Sequence, residues 1–324
     1  MASKQRQKRV LVVGLICLDI INTVDKYPSE DEDKRTLSHR WQRGGNAANQ
    51  SYILSQLGSD VEFFGNVATG EGAEFALNTL RQQGVACDHV IVNKGCRIPT
   101  SYVTCSLETG SRTIVHNRGG MPELSAEYFK CLCLDEYDWV HFETRRNIKD
   151  IHEMLDMVDA YNKTKPSAEK ITVSIEIEKP INDGRDGLIR RADVIFISKD
   201  YARFIGYNSP TDAINGLISR VRPGGCLISP WGDAGAQAMG TDRVLVDVKA
   251  TNPGIVVDTL GAGDTFVAGV VQGLRDGVGL RGAVRLGCML AGYKCGIEGY
   301  NGLGDRWRKI VPVADVGPLQ EWGY

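Results

Sequence analysis

Apolar runs alternate with amphipathic stretches along most of this chain. Segments 10–16, 61–67, 139–142, 171–177, 194–197 and 226–229 are short and almost continuously apolar, the pattern of strands buried on both faces. Between them, 46–57, 71–83, 149–161 and 211–220 are long enough for helices, and two more follow at 263–275 and 280–295. In 263–275, Phe266, Val270 and Leu274 form one stripe with Val267 and Val271 beside it, the spacing of a helix laid on a sheet. The repeated alternation predicts an α/β fold with a mostly parallel central sheet and helices on both faces.

Two stretches break the pattern. Segments 20–24 and 35–41 flank a turn containing Pro28 and the acidic run Glu30-Asp31-Glu32-Asp33. Segments 98–107 and 112–116 are β-rich and joined by the polar turn Glu108-Thr109-Gly110-Ser111. These four strands are expected to form a small separate sheet, a lid projecting from the main domain. So small a sheet needs a partner to hide its apolar side, so a homodimer through the lids is expected. After Gly304 no core pattern is read.

Composition narrows the picture further. Apolar residues are 42% and charged ones 24% of 324, a globular balance, and a net charge of −2 gives nucleic acid little to hold. Lys4, Arg6, Lys8 and Arg9 precede the first apolar run without a convincing small-residue cleavage site, so a frayed start entering a buried strand is expected. No apolar run approaches the roughly 20 residues of a membrane span. Nine cysteines include no Cys-x-x-Cys pair and five histidines show no i,i+4 spacing. Reduced thiols in a cytoplasmic protein follow, with no zinc site and no metal ligands assigned.

The candidate chemistry sits near the end, in Val256-Val257-Asp258-Thr259-Leu260-Gly261-Ala262-Gly263-Asp264-Thr265-Phe266. An apolar run enters a glycine turn and then the first turn of an apolar helix. Helix N-termini carry unpaired N–H groups and partial positive charge, and Gly261 and Gly263 let those groups approach a phosphate. Asp264, beside that anion site, is placed to take a proton from an attacking hydroxyl, although a first-turn aspartate also simply compensates the dipole. In Gly44-Gly45-Asn46-Ala47-Ala48-Asn49 the two asparagines are three apart, so a helix starting here carries both amides on one face. Amides donate and accept, which suits vicinal sugar hydroxyls, but an asparagine N-cap with a glycine turn reads the same way. Asp19 follows the first strand, at the edge where ligands collect in open parallel sheets. There is no Walker A sequence, and no Gly-x-Gly-x-x-Gly follows the first strand, which argues against a dinucleotide enzyme.

Together the Gly44–Asn49 and Asp258–Phe266 motifs resemble those of the ribokinase-like PfkB sugar kinases, and the likeness spans about residues 10–303. Within the family, Asp25-Lys26-Tyr27-Pro28, Arg40-Trp41-Gln42-Arg43-Gly44-Gly45-Asn46, Gly110-Ser111-Arg112-Thr113-Ile114, Ser198-Lys199-Asp200 and Gly287–Gly296 are similar to the branch that phosphorylates ketohexoses. The resemblance implies a ribokinase-like domain over 1–310, lid segments at about 18–44 and 96–118, and a tail at 311–324. It implies ATP-dependent phosphorylation of fructose at its 1-hydroxyl, with Asp264 as base and Gly261, Ala262 and Gly263 as anion hole. Asp19, Gly45, Asn46 and Asn49 would hold the ketose, joined by Asp31 from the neighbouring subunit of the dimer. ATP would meet Arg112, the turn Gly232-Asp233-Ala234-Gly235 and the anion hole. Mg2+ would accompany ATP, and K+ would activate from near Asp258-Thr259. Ser198-Lys199-Asp200-Tyr201 stands where many relatives carry Asn-x-x-Glu, and Pro230 and Gly232 around Trp231 depart from the pattern. Another sugar or nucleoside kinase of this family, or a sugar sensor without catalysis, stays open.

Overall fold

The computed structural model describes residues 8–314. The start of the chain expected to fray (1–7) and residues 315–324 of the expected tail lie outside them. In chain order the strands are β1 (Arg9–Val13), β2 (Cys17–Val24), β3 (Ser38–Gly44), β4 (Val61–Phe64), β5 (Asn66–Ala68), β6 (Ile91–Asn93), β7 (Thr100–Ser106), β8 (Arg112–Asn117), β9 (Tyr137–Glu143), β10 (Thr172–Ile177), β11 (Val194–Ile197), β12 (Cys226–Pro230), β13 (Ala236–Met239) and β14 (Leu245–Val248). The helices are α1 (Asn46–Leu57), α2 (Glu71–Gln82), α3 (Ile148–Lys163), α4 (Lys199–Phe204), α5 (Pro210–Leu217), α6 (Ala262–Arg275), α7 (Gly279–Cys295) and α8 (Leu303–Ala314).

Eight strands form the main sheet in the order β14-β13-β12-β11-β10-β9-β1-β4. From β12 to β4 every pairing is parallel, and β13 and β14 close one edge antiparallel. Alternate side chains of β1 enter opposite cores, as a doubly covered sheet requires. Val10 and Val12 pack with α1, α6 and α7, whereas Leu11 and Val13 pack with α3 and α5. The lid is a separate four-stranded sheet, β3-β2-β7-β8, as expected.

Several boundaries moved. The run 10–16 is not one strand: it bends after Val13, and the chain re-enters the lid at Cys17. The run 61–67 likewise divides at Gly65, where a Cβ would stand 2.2 Å from the Gly14 carbonyl oxygen. The segment after Gly304 does carry core residues. Trp307 and Ile310 are buried, at helical spacing with Leu303 just before Gly304, and α8 runs through the expected 310/311 boundary. Asp305, Arg306, Arg308 and Lys309 stand between these apolar positions and hid the helix from the reading.

Helices α6 and α7 meet along a seam of small residues. A Cβ on Gly287 would lie 2.7 Å from Val270 Cγ2 and 2.9 Å from the Phe266 carbonyl oxygen, so the backbones approach only because none is there. Four buried residues of α6, Phe266, Val267, Val270 and Val271, anchor the helix in the core it shares with α1, α7 and the sheet; each contributes about 1.5–3 kcal/mol when fully buried. Asp264 in its first turn is held as firmly as the helix itself.

Candidate active site

The carboxyl ends of the parallel strands and the inner face of the lid enclose an open cleft of about 960 Å³. Asp19, Gly45, Asn46, Asn49, Arg112, Gly232, Gly261, Gly263 and Asp264 all line it, so residues distant in sequence meet there. Ala262 opens α6 between two of them. Asp233 and Ala234 are exposed in the short turn after β12, and a Cβ on Gly235 would stand 2.1 Å from the Val248 carbonyl oxygen. That glycine is packed against β14. Asp31 is exposed on the lid loop, at a left-handed φ of 65°, and does not line its own cleft.

Gly45 ends the lid with φ 93°, and a Cβ there would sit 2.3 Å from the Leu15 carbonyl oxygen. Only glycine makes this corner. It is the N-cap of α1, and Asn46 is the first helical residue. The helix start is satisfied by Glu143, whose Oε2 accepts from Ala47 N at 3.1 Å and Leu15 N at 2.9 Å.

The two asparagine amides face carboxylates. Asn49 Nδ2 donates to Asp264 Oδ2 at 2.7 Å, and Asn49 Oδ1 accepts from the buried Arg43 at 3.0 Å. Arg43 stacks over Tyr52 with 4.3 Å to the ring centroid, a sealed cationic end to the chain of contacts. Asn46 Nδ2 donates to Glu178 Oε2 at 2.8 Å and Glu176 Oε2 at 3.3 Å, and Gln50 Nε2 donates to Glu176 Oε2 at 2.8 Å. Both amides therefore orient acidic groups in addition to lining the cleft.

Burial, then the neighbouring Glu176 carboxylate, hold Asp264 well above the usual carboxylate range, while the Asn49 hydrogen bond opposes them. Glu176 is pushed up to about 8 by burial and then by Glu178. Glu143 is raised by burial, with Arg145 opposing. Glu143 pairs with Arg145 at 3.2 Å and Glu178 with Lys179 at 2.7 Å, whereas amide donors hold Glu176 and Asp264. Their hard oxygens are the donors that divalent cations accept, although among the described residues no three His, Cys, Asp or Glu form a group able to hold an ion unaided.

Beneath the glycine turn, Asp258 gathers four partners. Buried Lys294 donates to its carbonyl oxygen at 2.8 Å and pairs with its carboxylate at 2.9 Å. Leu260 N reaches Oδ1 at 2.9 Å and Gly299 N reaches Oδ2 at 3.1 Å. Arg40 of the lid approaches the same carboxylate at 3.5 Å. Burial works to raise the Asp258 carboxyl, yet Lys294 brings it below its ordinary value. Arg112, also on the lid, donates to Thr259 Oγ1 of the turn.

Sequence reasoning missed Glu143, Glu176 and Glu178, and also Arg43 and Lys294. A signal for the glutamates existed: each stands at or just past the end of an apolar strand, β9 or β10, where the sheet opens to ligands. Arg43 and Lys294 carried none, because a buried cation looks in sequence like a surface one.

The comparisons agree with this geometry. Residues 7–302 match the pfkB family carbohydrate kinase description. Mouse (Mus musculus) ketohexokinase is 42% identical over 297 residues, 92% of this chain and 99% of that protein. A ribokinase structure from Giardia lamblia superposes with a TM-score of 0.81 at 16% identity, covering 95% of this chain and 99% of the other. Arabidopsis thaliana ribokinase complexed with ribose and ATP gives 0.76 at 17% identity, covering 94% and 98%. With its fold, its paired motifs and nearly its whole length accounted for, the chain belongs to the pfkB family of carbohydrate kinases.

Proposed function

We propose that this protein transfers the γ-phosphoryl group of ATP to the 1-hydroxyl of D-fructose, giving fructose 1-phosphate and ADP, with Asp264 as general base. The observation that carries the mechanism is Asp264 itself: 7% exposed, oriented by Asn49, and set at the first turn of α6 beside two glycines in the cleft. The choice of a ketohexose rests on the 42% identity to the mouse protein.

Asp264 accepts a hydrogen bond from the incoming hydroxyl and takes its proton as the oxygen attacks phosphorus. Its raised affinity for protons makes it a stronger base than an ordinary aspartate, and general-base help of this kind is typically worth about 10²–10⁴ in rate. Gly261, Ala262 and Gly263 present first-turn amides to the migrating phosphoryl group, where negative charge is favoured. Asp19, Gly45, Asn46 and Asn49 hold the ketose. Arg112, Gly232 and the turn through Asp233, Ala234 and Gly235 serve the nucleotide side. Mg2+ arriving with ATP would face Glu176 and Glu178, and it neutralises the triphosphate. K+ bound near Asp258-Thr259 would act as an activator beside the carboxylate that Lys294 and Arg40 hold. Lid strand β8 is exposed along its length, which supports a homodimer through the lids, with Asp31 reaching the neighbouring cleft. Among the described residues no helix is long and apolar enough to cross a membrane, and we place the protein in the cytoplasm, where its free cysteines stay reduced.

Coupled ADP release with fructose, ribose, adenosine and fructose 6-phosphate tests the substrate, with the phosphate position assigned by NMR. Fructose should turn over fastest; a clear preference for ribose or adenosine would replace the ketohexose reading. Asp264→Asn should keep fructose binding by calorimetry and lose at least about 100-fold in kcat. Undiminished turnover would remove Asp264 from its role.

A further inference from the structure

The lid carries a row of polar side chains of which the mechanism above uses only Asp19. Strand pairing sets Asp19 of β2 opposite Ser101 of β7, and Ser101 opposite His116 of β8. The three occupy one rung of the sheet and all line the cleft. Asp19 and Ser101 are 6% and 7% exposed, whereas His116 at the outer end is open to the cavity. Ser101 Oγ lies 3.1 Å from His116 Nδ1, and Cys17 Sγ is 3.4 Å from Asp19 Oδ1.

The contacts order this row. An ionised Asp19 can only accept, and it takes a hydrogen bond from the Cys17 thiol. Ser101 Oγ and His116 Nδ1 share one hydrogen bond in either tautomer of the ring. That contact occupies Nδ1 and leaves Nε2 as the ring nitrogen free to meet a ligand in the cavity. Burial and the nearby cations Arg145, Lys179 and Arg118 all disfavour a second proton on the ring.

We propose that His116 is a sugar-specificity residue, its Nε2 hydrogen-bonding a hydroxyl of the bound ketose distant from the reacting one. Asp19 and His116 thus form a two-pronged polar clamp spaced by Ser101 on one rung of the lid. A sugar lacking either hydroxyl leaves a prong unpaired, and discrimination against such analogues is typically strong. This rests on the sugar-kinase reading above.

The test separates binding from chemistry. His116→Asn keeps a polar group near the Nδ1 position and removes the distal nitrogen; His116→Gln restores an oxygen or nitrogen near the Nε2 position. His116→Asn should raise KM for fructose about tenfold, leave kcat within about threefold and leave KM for ATP unchanged, and His116→Gln should recover most of the loss. With a series of monodeoxyfructoses, one analogue should be rejected by the natural enzyme and tolerated equally with fructose by His116→Asn. Unchanged KM for fructose in a variant with native melting temperature overturns the proposal. So does a matching loss with ATP, or a deoxy-sugar series on which both proteins rank every analogue alike. Failure of the fructose reading is seen separately, in the natural enzyme's sugar panel, and the same variants are then run on whichever sugar that panel selects.

Discussion

Replacing Glu176 by glutamine should stabilise the ligand-free protein, and by more as pH rises. Glu176 ends β10 at 7% exposure with amide donors but no cation on its oxygens, and its carboxyl is pushed up to about 8. In an unfolded chain the same group titrates near 4.3. Between those values the folded protein keeps a proton that the unfolded chain has released, so stability falls as pH rises, by up to about 1.4 kcal/mol per unit. Below the unfolded value the effect vanishes, and above about 8 it is fully developed. From pH 5.5 to 8 the accumulated cost is roughly 3 kcal/mol. Glutamine keeps the shape and an acceptor oxygen for Asn46 and Gln50 but carries no charge. Urea unfolding at pH 5.5, 7 and 8.5 should therefore show the variant's advantage growing by roughly 3 kcal/mol across the series. The same change removes the carboxylate that helps raise Asp264, so any residual turnover should show its acid limb at lower pH. An advantage that stays constant with pH would mean the Glu176 proton is lost as readily in the folded state as in the unfolded one.

Two further outcomes are expected. Lys294→Met strands the Asp258 carboxylate without its buried partner and should cost about 3–5 kcal/mol, read as a lower urea midpoint together with weaker ADP binding by calorimetry. Gly287→Ala forces α7 away from α6 and should cost about 1–3 kcal/mol, with kcat falling more than either KM because the helix bearing Asp264 shifts.

Legibility followed physical scale. The alternation of apolar runs and helices gave the doubly covered sheet because burial on two faces leaves a plain period in the chain. Asp264 and its glycines were readable because the proposed anion site is built from contiguous residues. What joins Asp264 to Asn49, Asn49 to Arg43, or Asn46 to Glu176 and Glu178 was not, since those hydrogen bonds span between 6 and 215 positions. The antiparallel strands β13 and β14 escaped because neither is a continuous apolar run: Gln237 and Asp247 interrupt them and lie opposite one another. The asparagines were read as candidate site residues, but their commitment to carboxylates needed coordinates.

Arg40 belongs to the lid, yet the carboxylate it approaches belongs to the turn that would cradle phosphate, and Lys294 holds that same group from below. A lid strand and a cradle sharing one acidic side chain are linked by reciprocity: if a sugar gains by drawing the lid inward, the nucleotide gains equally from finding it drawn. Order of addition then matters to rate but not to the final balance, and either molecule alone should leave its mark on the affinity for the other.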